Sequence, residues 1–230
     1  MKSLMKNLVK YTLATLAIAA LTQGVMAAGD AAAGKDKAAA CSACHGSDGN
    51  SPAPNFPKLS NLGEKYLIKQ MQDIQAWDSA SAEDKDNTGR AVPEMVGQLA
   101  QLSAQDVEDI AAYFTAQTRQ LSGAKELQVK VNAGIKVDGI EMGTRIYRAG
   151  NLETGVPACS GCHSPRGLGN APAGYPMLGG QHAAYVEKQL RDFRAGERTN
   201  DGDTKIMRQV AEHMSDAEII AVSNYISGLH

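Results

Sequence analysis

The chain has 230 residues, a formal net charge of −2 and only 5% aromatic residues. Its length admits one large domain or two of ordinary size, and its 25 acidic against 23 basic side chains argue against nucleic acid as a partner. Four cysteines leave disulfide, zinc, redox-dithiol and haem chemistry open until their spacing is considered.

Residues 1–27 carry Lys2, Lys6 and Lys10, then an apolar run over about 13–21, then small residues near Ala27. This is the pattern of a cleaved secretory signal. The run is well short of the roughly 20 residues that a spanning helix needs. No later segment is long and apolar enough to cross a membrane, so an exported, soluble mature chain starting near Ala28 is expected. The segment holds no cysteine for a lipid anchor. Its removal leaves 20 basic against 25 acidic residues, a formal charge of −5.

The mature chain opens with a helix leading into "CSACH" at 41–45, followed by a Gly/Pro-rich loop that contains "NFPKL". A weakly amphipathic helix is expected over about 64–76. The polar loop 78–90, "DSASAEDKDNTGR", leads to Met95. A last helix follows, where Ser103 and Asp106 form a Ser-x-x-acid start and Val107, Ile110, Ala111 and Phe114 share one face. Residues 119–136 contain Ser122-Gly123 and no continuous apolar stripe, and read as a linker that either hangs free or packs across its neighbours.

The same order then repeats. "CSGCH" at 159–163 matches the first pentapeptide, "GYPML" matches "NFPKL", and "YVEKQLRDF" matches "YLIKQMQDI". Met207 matches Met95, and Ser215 with Glu218 opens a last helix bearing Ile219, Val222 and Ile226. A period of more than a hundred residues is that of a duplicated domain, since solenoid units are shorter. No stretch alternates in the manner of a strand. The expectation is an all-α protein of two tandem domains, 28–118 and 137–230.

An exported chain with four cysteines first suggests disulfides, but a histidine follows each pair directly. Zinc sites built from two CxxC pairs bring them within about 15–20 residues, whereas a whole domain separates these. A thioredoxin-like dithiol belongs in a βαβ context, absent here. Two thiols one helical turn apart can each bond a vinyl group of one porphyrin, with the next imidazole placed under the iron. CxxCH is the mark of c-type haem attachment, so Cys41, Cys44, Cys159 and Cys162 are assigned to two haem c groups, with His45 and His163 on the iron. The haems would also fill cores otherwise thin in aromatic residues, so the chain is expected to fold poorly without them.

What fills the sixth iron position separates a carrier from an enzyme or a gas binder. Among nine methionines and the three other histidines, a ligand needed twice must recur at matching places. Met71 pairs with Leu190, Met177 with Lys58 and Met214 with Leu102. His182 pairs with Gly63 and His213 with Gln101, and His230 ends the chain. Only Met95 and Met207 coincide, each eight residues before its capping serine. The His-to-Met stretch is longer in the first unit because of loop 78–90, which is either a docking feature or a tolerated surface insertion.

With "CSACHGSDGNSPAPNFPKL", "GGQHAAYVEKQL", "RTNDGDTKIM" and the ending "YISGLH" in view, the mature chain resembles the dihaem cytochromes c4, which are tandem class I cytochrome c domains. The resemblance implies His/Met ligation of one haem per domain, with the haems facing each other across the interface. It further implies a periplasmic electron carrier between membrane respiratory complexes and a terminal oxidase. With both iron positions filled no room is left for substrate, so a carrier and not an enzyme is expected, as a monomer. In such domains a proline carbonyl orients the ligand histidine, and "PNF" puts Pro54 in that role for His45. The second unit has Ala173 at the aligned place, with Pro172 and Pro176 nearby, so its acceptor stays open. Tyr66, Lys69 and Gln70 recur as Tyr185, Lys188 and Gln189. They are read either as haem-propionate contacts at the interface or as an inherited helix surface. Two other functions stay open: the dihaem subunit of a flavoprotein sulfide dehydrogenase, and a dihaem peroxidase, which would need a displaceable iron ligand.

Overall fold

Each last helix is set by its first turn. The computed structural model describes residues 28–85, 88–132 and 134–230, and residues 1–27, expected to be an export signal, lie outside them. The Ser103 hydroxyl accepts the Asp106 amide proton while the Asp106 carboxylate accepts that of Ser103, closing a capping box on α4 (Ala104–Thr115). Ile110, Ala111 and Phe114 are then buried in the first core with Ala38, Leu62 and Leu67, and Val107 is buried as well, each large side chain contributing about 1.5–3 kcal/mol. Ahead of α4 in the chain lie α1 (Ala31–Lys37), a 3-10 turn over Ala38–Cys41, α2 (Ser42–His45) and α3 (Glu64–Ser79).

The second unit repeats this plan with α5 (Gly139–Ala149), α6 (Ser160–His163), α7 (Ala183–Ala195), α8 (Ile206–Glu212) and α9 (Asp216–Gly228). Ser215 and Glu218 form the matching capping box on α9. In each unit the first helix crosses the last at a glycine. A Cβ on Gly34 would collide with the Asp109 carbonyl of α4, and one on Gly143 with the Ala221 carbonyl of α9. Only hydrogen at these positions lets the backbones approach so closely.

Among the described residues the architecture is helical apart from one short hairpin, which was not expected from the sequence. In the segment expected as a linker, β1 (Gln128–Val131) pairs antiparallel with β2 (Ile135–Asp138). Val129, Val131, Ile135 and Val137 do alternate with polar residues, but over only four residues per strand. Burial of Val129 in the second core holds the hairpin in place. The linker is therefore packed. Ser122 donates its amide proton to Gly180 O and Gly123 to Ser227 O, while Arg119 bonds Ser60 O of the first unit through Nε and Nη2.

The start of the first unit is fastened by charge. Lys37 Nζ lies 2.7 Å from Asp106 and 2.5 Å from Asp109, and the Asp109 carboxylate also accepts from the Asp30 amide and Gln105. Lys37 is the main cause that holds Asp109 down at about 2, and it depresses Asp106 as well. Depressed carboxylates favour the folded state above their ordinary pKa of 3.8, and that stability drains away as pH falls through the folded value. Urea midpoints should therefore drop steadily from pH 4 towards pH 2. In a Lys37→Met chain the midpoint at neutral pH should be lower and this part of the dependence flatter. An unchanged acid profile would show that the cluster does not couple α1 to α4.

Candidate functional site

The CxxCH runs each take a single helical turn, α2 and α6, so the two cysteine side chains of each run project to one side. Cys41 and Cys159 are half-buried against the cores, Cys44 and Cys162 are exposed, and none of the four is in a disulfide. The next residue is buried in both units: His45 and His163 keep only 7% and 8% of their surface. Burial is the main influence on both imidazoles and lowers their pKa, keeping them neutral.

Each ring is held by one bond. His45 Nδ1 lies 2.9 Å from Pro57 O, and His163 Nδ1 lies 2.9 Å from Pro176 O. A carbonyl only accepts, so Nδ1 carries the proton and Nε2 keeps its lone pair free for a metal. This corrects the assignment of Pro54, which is exposed on the loop. The chain continues past it to a turn that brings Pro57 under the ring. The repeat contained the signal, because "NFPKL" on "GYPML" superposes Pro57 on Pro176.

Met95 ends the 3-10 turn Pro93–Met95, and Met207 is the second residue of α8. Both are half-buried, unlike the core methionines Met142, Met177 and Met214. Met207 packs on the same cluster as Cys159. Its loop is stapled by Arg208, which pairs with Asp201 at 2.7 Å and also bonds Thr199 O and Gly202 O. In the first unit, Asp78 accepts the Gly97 amide and Asp73 O accepts the Arg90 amide, so the segment from Arg90 to Gly97 that carries Met95 is tied to α3.

The recurring helix residues part company. Lys69 and Lys188 only pair along their own helices with Asp73 and Asp192. Tyr66, Gln70, Tyr185 and Gln189 instead meet between the units around two arginines that the sequence reading missed. Arg90 bonds Gln70 Oε1 at 2.8 Å, Gln189 Oε1 at 2.7 Å and the Tyr185 hydroxyl at 3.3 Å. Arg198 reciprocates, bonding Gln189 Oε1 at 2.7 Å, Gln70 Oε1 at 2.9 Å and the Tyr66 hydroxyl at 3.2 Å. Burial would push the Tyr66 phenol up, but Arg198 and Arg90 together outweigh it and leave the phenol below its ordinary value. Unequal loop lengths hid the pair, since counting back from the methionines sets Arg90 against Gly202.

Among the described residues, neither Arg90 nor Arg198 meets a carboxylate at ion-pair distance, and the nearby buried Arg119 has Nη1 without an acceptor. Burial alone brings the Arg119 guanidinium down to about 10. Guanidiniums buried among neutral amides and phenols are costly unless an anion joins them. The protein therefore offers paired thiols, an imidazole with free Nε2 and guanidiniums with no carboxylate at ion-pair distance. A haem c has the complementary parts: vinyl carbons, iron and propionates. The residues fit the group.

The family model described as "Cytochrome c" matches residues 31–117 and again 140–230. The chain is 55% identical to "Cytochrome c4" of Azotobacter vinelandii over 95% of its own length and 96% of the relative's. It is 52% identical to "Cytochrome c4" of Stutzerimonas stutzeri over 96% of its own length and 99% of the relative's. The crystal structure of reduced recombinant cytochrome c4 from Pseudomonas stutzeri superposes with a TM-score of 0.79 at 54% identity, covering 88% of this chain and all of that one.

Proposed function

The chain belongs to the cytochrome c4 family and is a dihaem electron-transfer cytochrome, and from that premise we propose that it works in the periplasm. It takes electrons from a membrane respiratory complex and passes them towards a terminal oxidase. Residues 1–27 direct export, and the units 28–118 and 137–230, joined by 119–136, act as a monomer that docks on membrane-bound partners. Among the described residues no helix is long and apolar enough to cross a membrane.

Cys41 and Cys44 hold one haem through thioethers, and Cys159 and Cys162 hold the other. His45 with Met95, and His163 with Met207, would bind the two irons. Each bound group would supply one-electron chemistry. With a side chain on either side of each iron, no place would be left for a substrate, and the protein would act as a carrier and not an enzyme. Arg90 and Arg198 would neutralise propionates between the units, and the Tyr66 and Tyr185 hydroxyls would hydrogen-bond them.

The observation that carries this reading is the duplicated imidazole. In both units a buried histidine directly after two unpaired thiols has Nδ1 tied to a proline carbonyl at 2.9 Å. A spectroelectrochemical titration of the mature protein should find two haems per chain, both low-spin, each with a methionine-to-iron charge-transfer band and each taking one electron. One haem per chain, or high-spin iron at neutral pH, would overturn the assignment.

A further inference from the structure

The peptide group that orients His45 is itself held by the other domain. Pro57 C=O, which accepts the His45 Nδ1 proton at 2.9 Å, belongs to the same peptide unit as the Lys58 N–H. That N–H donates to Gln181 Oε1 of the second unit at 2.9 Å, and Gln181 Nε2 returns a bond to Lys58 O at 2.9 Å. Gln181 is 2% exposed and Lys58 4%, so water does not compete. Next to it, His182 Nε2 donates to Ser51 O at 2.8 Å, and the Ser51 hydroxyl bonds Cys44 O within the first CxxCH turn. The loop beneath the first imidazole is thus gripped at both ends by Gln181-His182.

The second unit has no counterpart. There the equivalent peptide joins Pro176 to Met177, and among the described residues nothing accepts the Met177 N–H. Gln181 and His182 align with Leu62 and Gly63 of the first unit, which offer no polar side chain.

We propose that Gln181 is a positioning residue for the first iron site, acting through the Pro57–Lys58 peptide on His45. The inference rests on His45 being an axial ligand. Hydrogen bonds in a chain polarise one another, by about 10–30% per bond. An acceptor on Lys58 N–H makes Pro57 O a stronger acceptor, and this draws the Nδ1 proton outward and makes Nε2 more electron-donating. A more basic imidazole favours ferric iron, so docking of the second domain lowers the potential of the first haem.

The test uses the intact protein with both haems attached, the waves being assigned to units with a Met95→Ala chain. Gln181→Leu removes the acceptor. It should shift the first haem's reduction equilibrium about three- to tenfold towards the ferrous form, the upper figure being about 59 mV for one electron, and leave the second haem in place. Gln181→Glu keeps an acceptor for Lys58 N–H and adds negative charge, so the first potential should stay at or below that of the parent. A purely packing role would move both variants the same way. No shift in Gln181→Leu, equal shifts at both haems, or a rise in Gln181→Glu would overturn the proposal. If the Leu chain fails to mature, the sign in the Glu chain decides. Histidine ring-nitrogen resonances of the oxidised parent check His45 ligation separately, so failure of that reading is distinguishable from failure of this one.

Discussion

A Met207→Ala chain should still carry two haems, because Cys159, Cys162 and His163 are untouched, but one of its two methionine charge-transfer bands should be lost. The thioether is a soft, neutral ligand that favours ferrous iron. With water or hydroxide in its place, the potential of that haem should fall by on the order of 0.1–0.3 V, a sizeable part of the roughly 0.8 V that axial ligands span. The iron should also become far more open to small ligands such as cyanide than that of the parent. The effect should fall mainly on the second haem, since Met207 packs on that unit's core and Arg208 holds its loop, which touches the first unit through Asn200 at Gln70 and Asp73. Met95→Ala should do the same to the other haem. Absorption and potentiometry on the two chains check both claims, and an unaltered band in either would remove that methionine from the ligand set.

Arg198→Met should have the largest effect away from the ligands. It leaves four hydrogen bonds unmade, three across the buried interface region to Gln189, Gln70 and Tyr66 and one to Asn200. Each polar group left without its partner costs about 1–3 kcal/mol. The remaining amides can turn towards Arg90, which also bonds both glutamines, so a net loss of about 3 kcal/mol is expected in urea unfolding. The change also removes a positive charge that opposes oxidation of the iron. At an effective dielectric of about 20 such a charge acts with an energy of about 1–2 kcal/mol, so both haem potentials should fall. Arg198→Lys should recover the charge but not the fork, restoring the potentials more fully than the stability. Stability and potentials that fall and recover together would show that the guanidinium acts only as an interface strut.

Much of the site was legible because its signals are local or repeated. Cys41, Cys44 and His45 lie within one turn, so their chemistry is written in adjacent letters, and a duplicate of any essential residue is visible by overlay. That overlay separated Met95 and Met207 from core methionines such as Met177 and Met214, which the structure buries. The Ser103 and Ser215 capping boxes were equally local, each needing only four consecutive residues.

Three features were not read this way, each for a different reason. The hairpin is four residues to a strand and is held by Val129 in a core assembled from distant helices, so its pattern is too short to stand out. The proline beneath His45 depends on the path of a loop: Pro54 and Pro57 differ by three positions, and only the turn decides which carbonyl reaches the ring. Arg90 and Arg198 sit in loops of unequal length, which an ungapped overlay cannot match.

By itself, then, the sequence determined the helical class, the duplication, the two attachment motifs and the axial candidates, because these rest on covalent spacing and periodicity. Only the tertiary structure decided what the domains do to each other. Gln181 and Pro57 stand on different domains, and nothing in either neighbourhood announces the other. Their coupling exists because docking excludes water from Lys58 and leaves its N–H one acceptor, a side chain of the opposite unit.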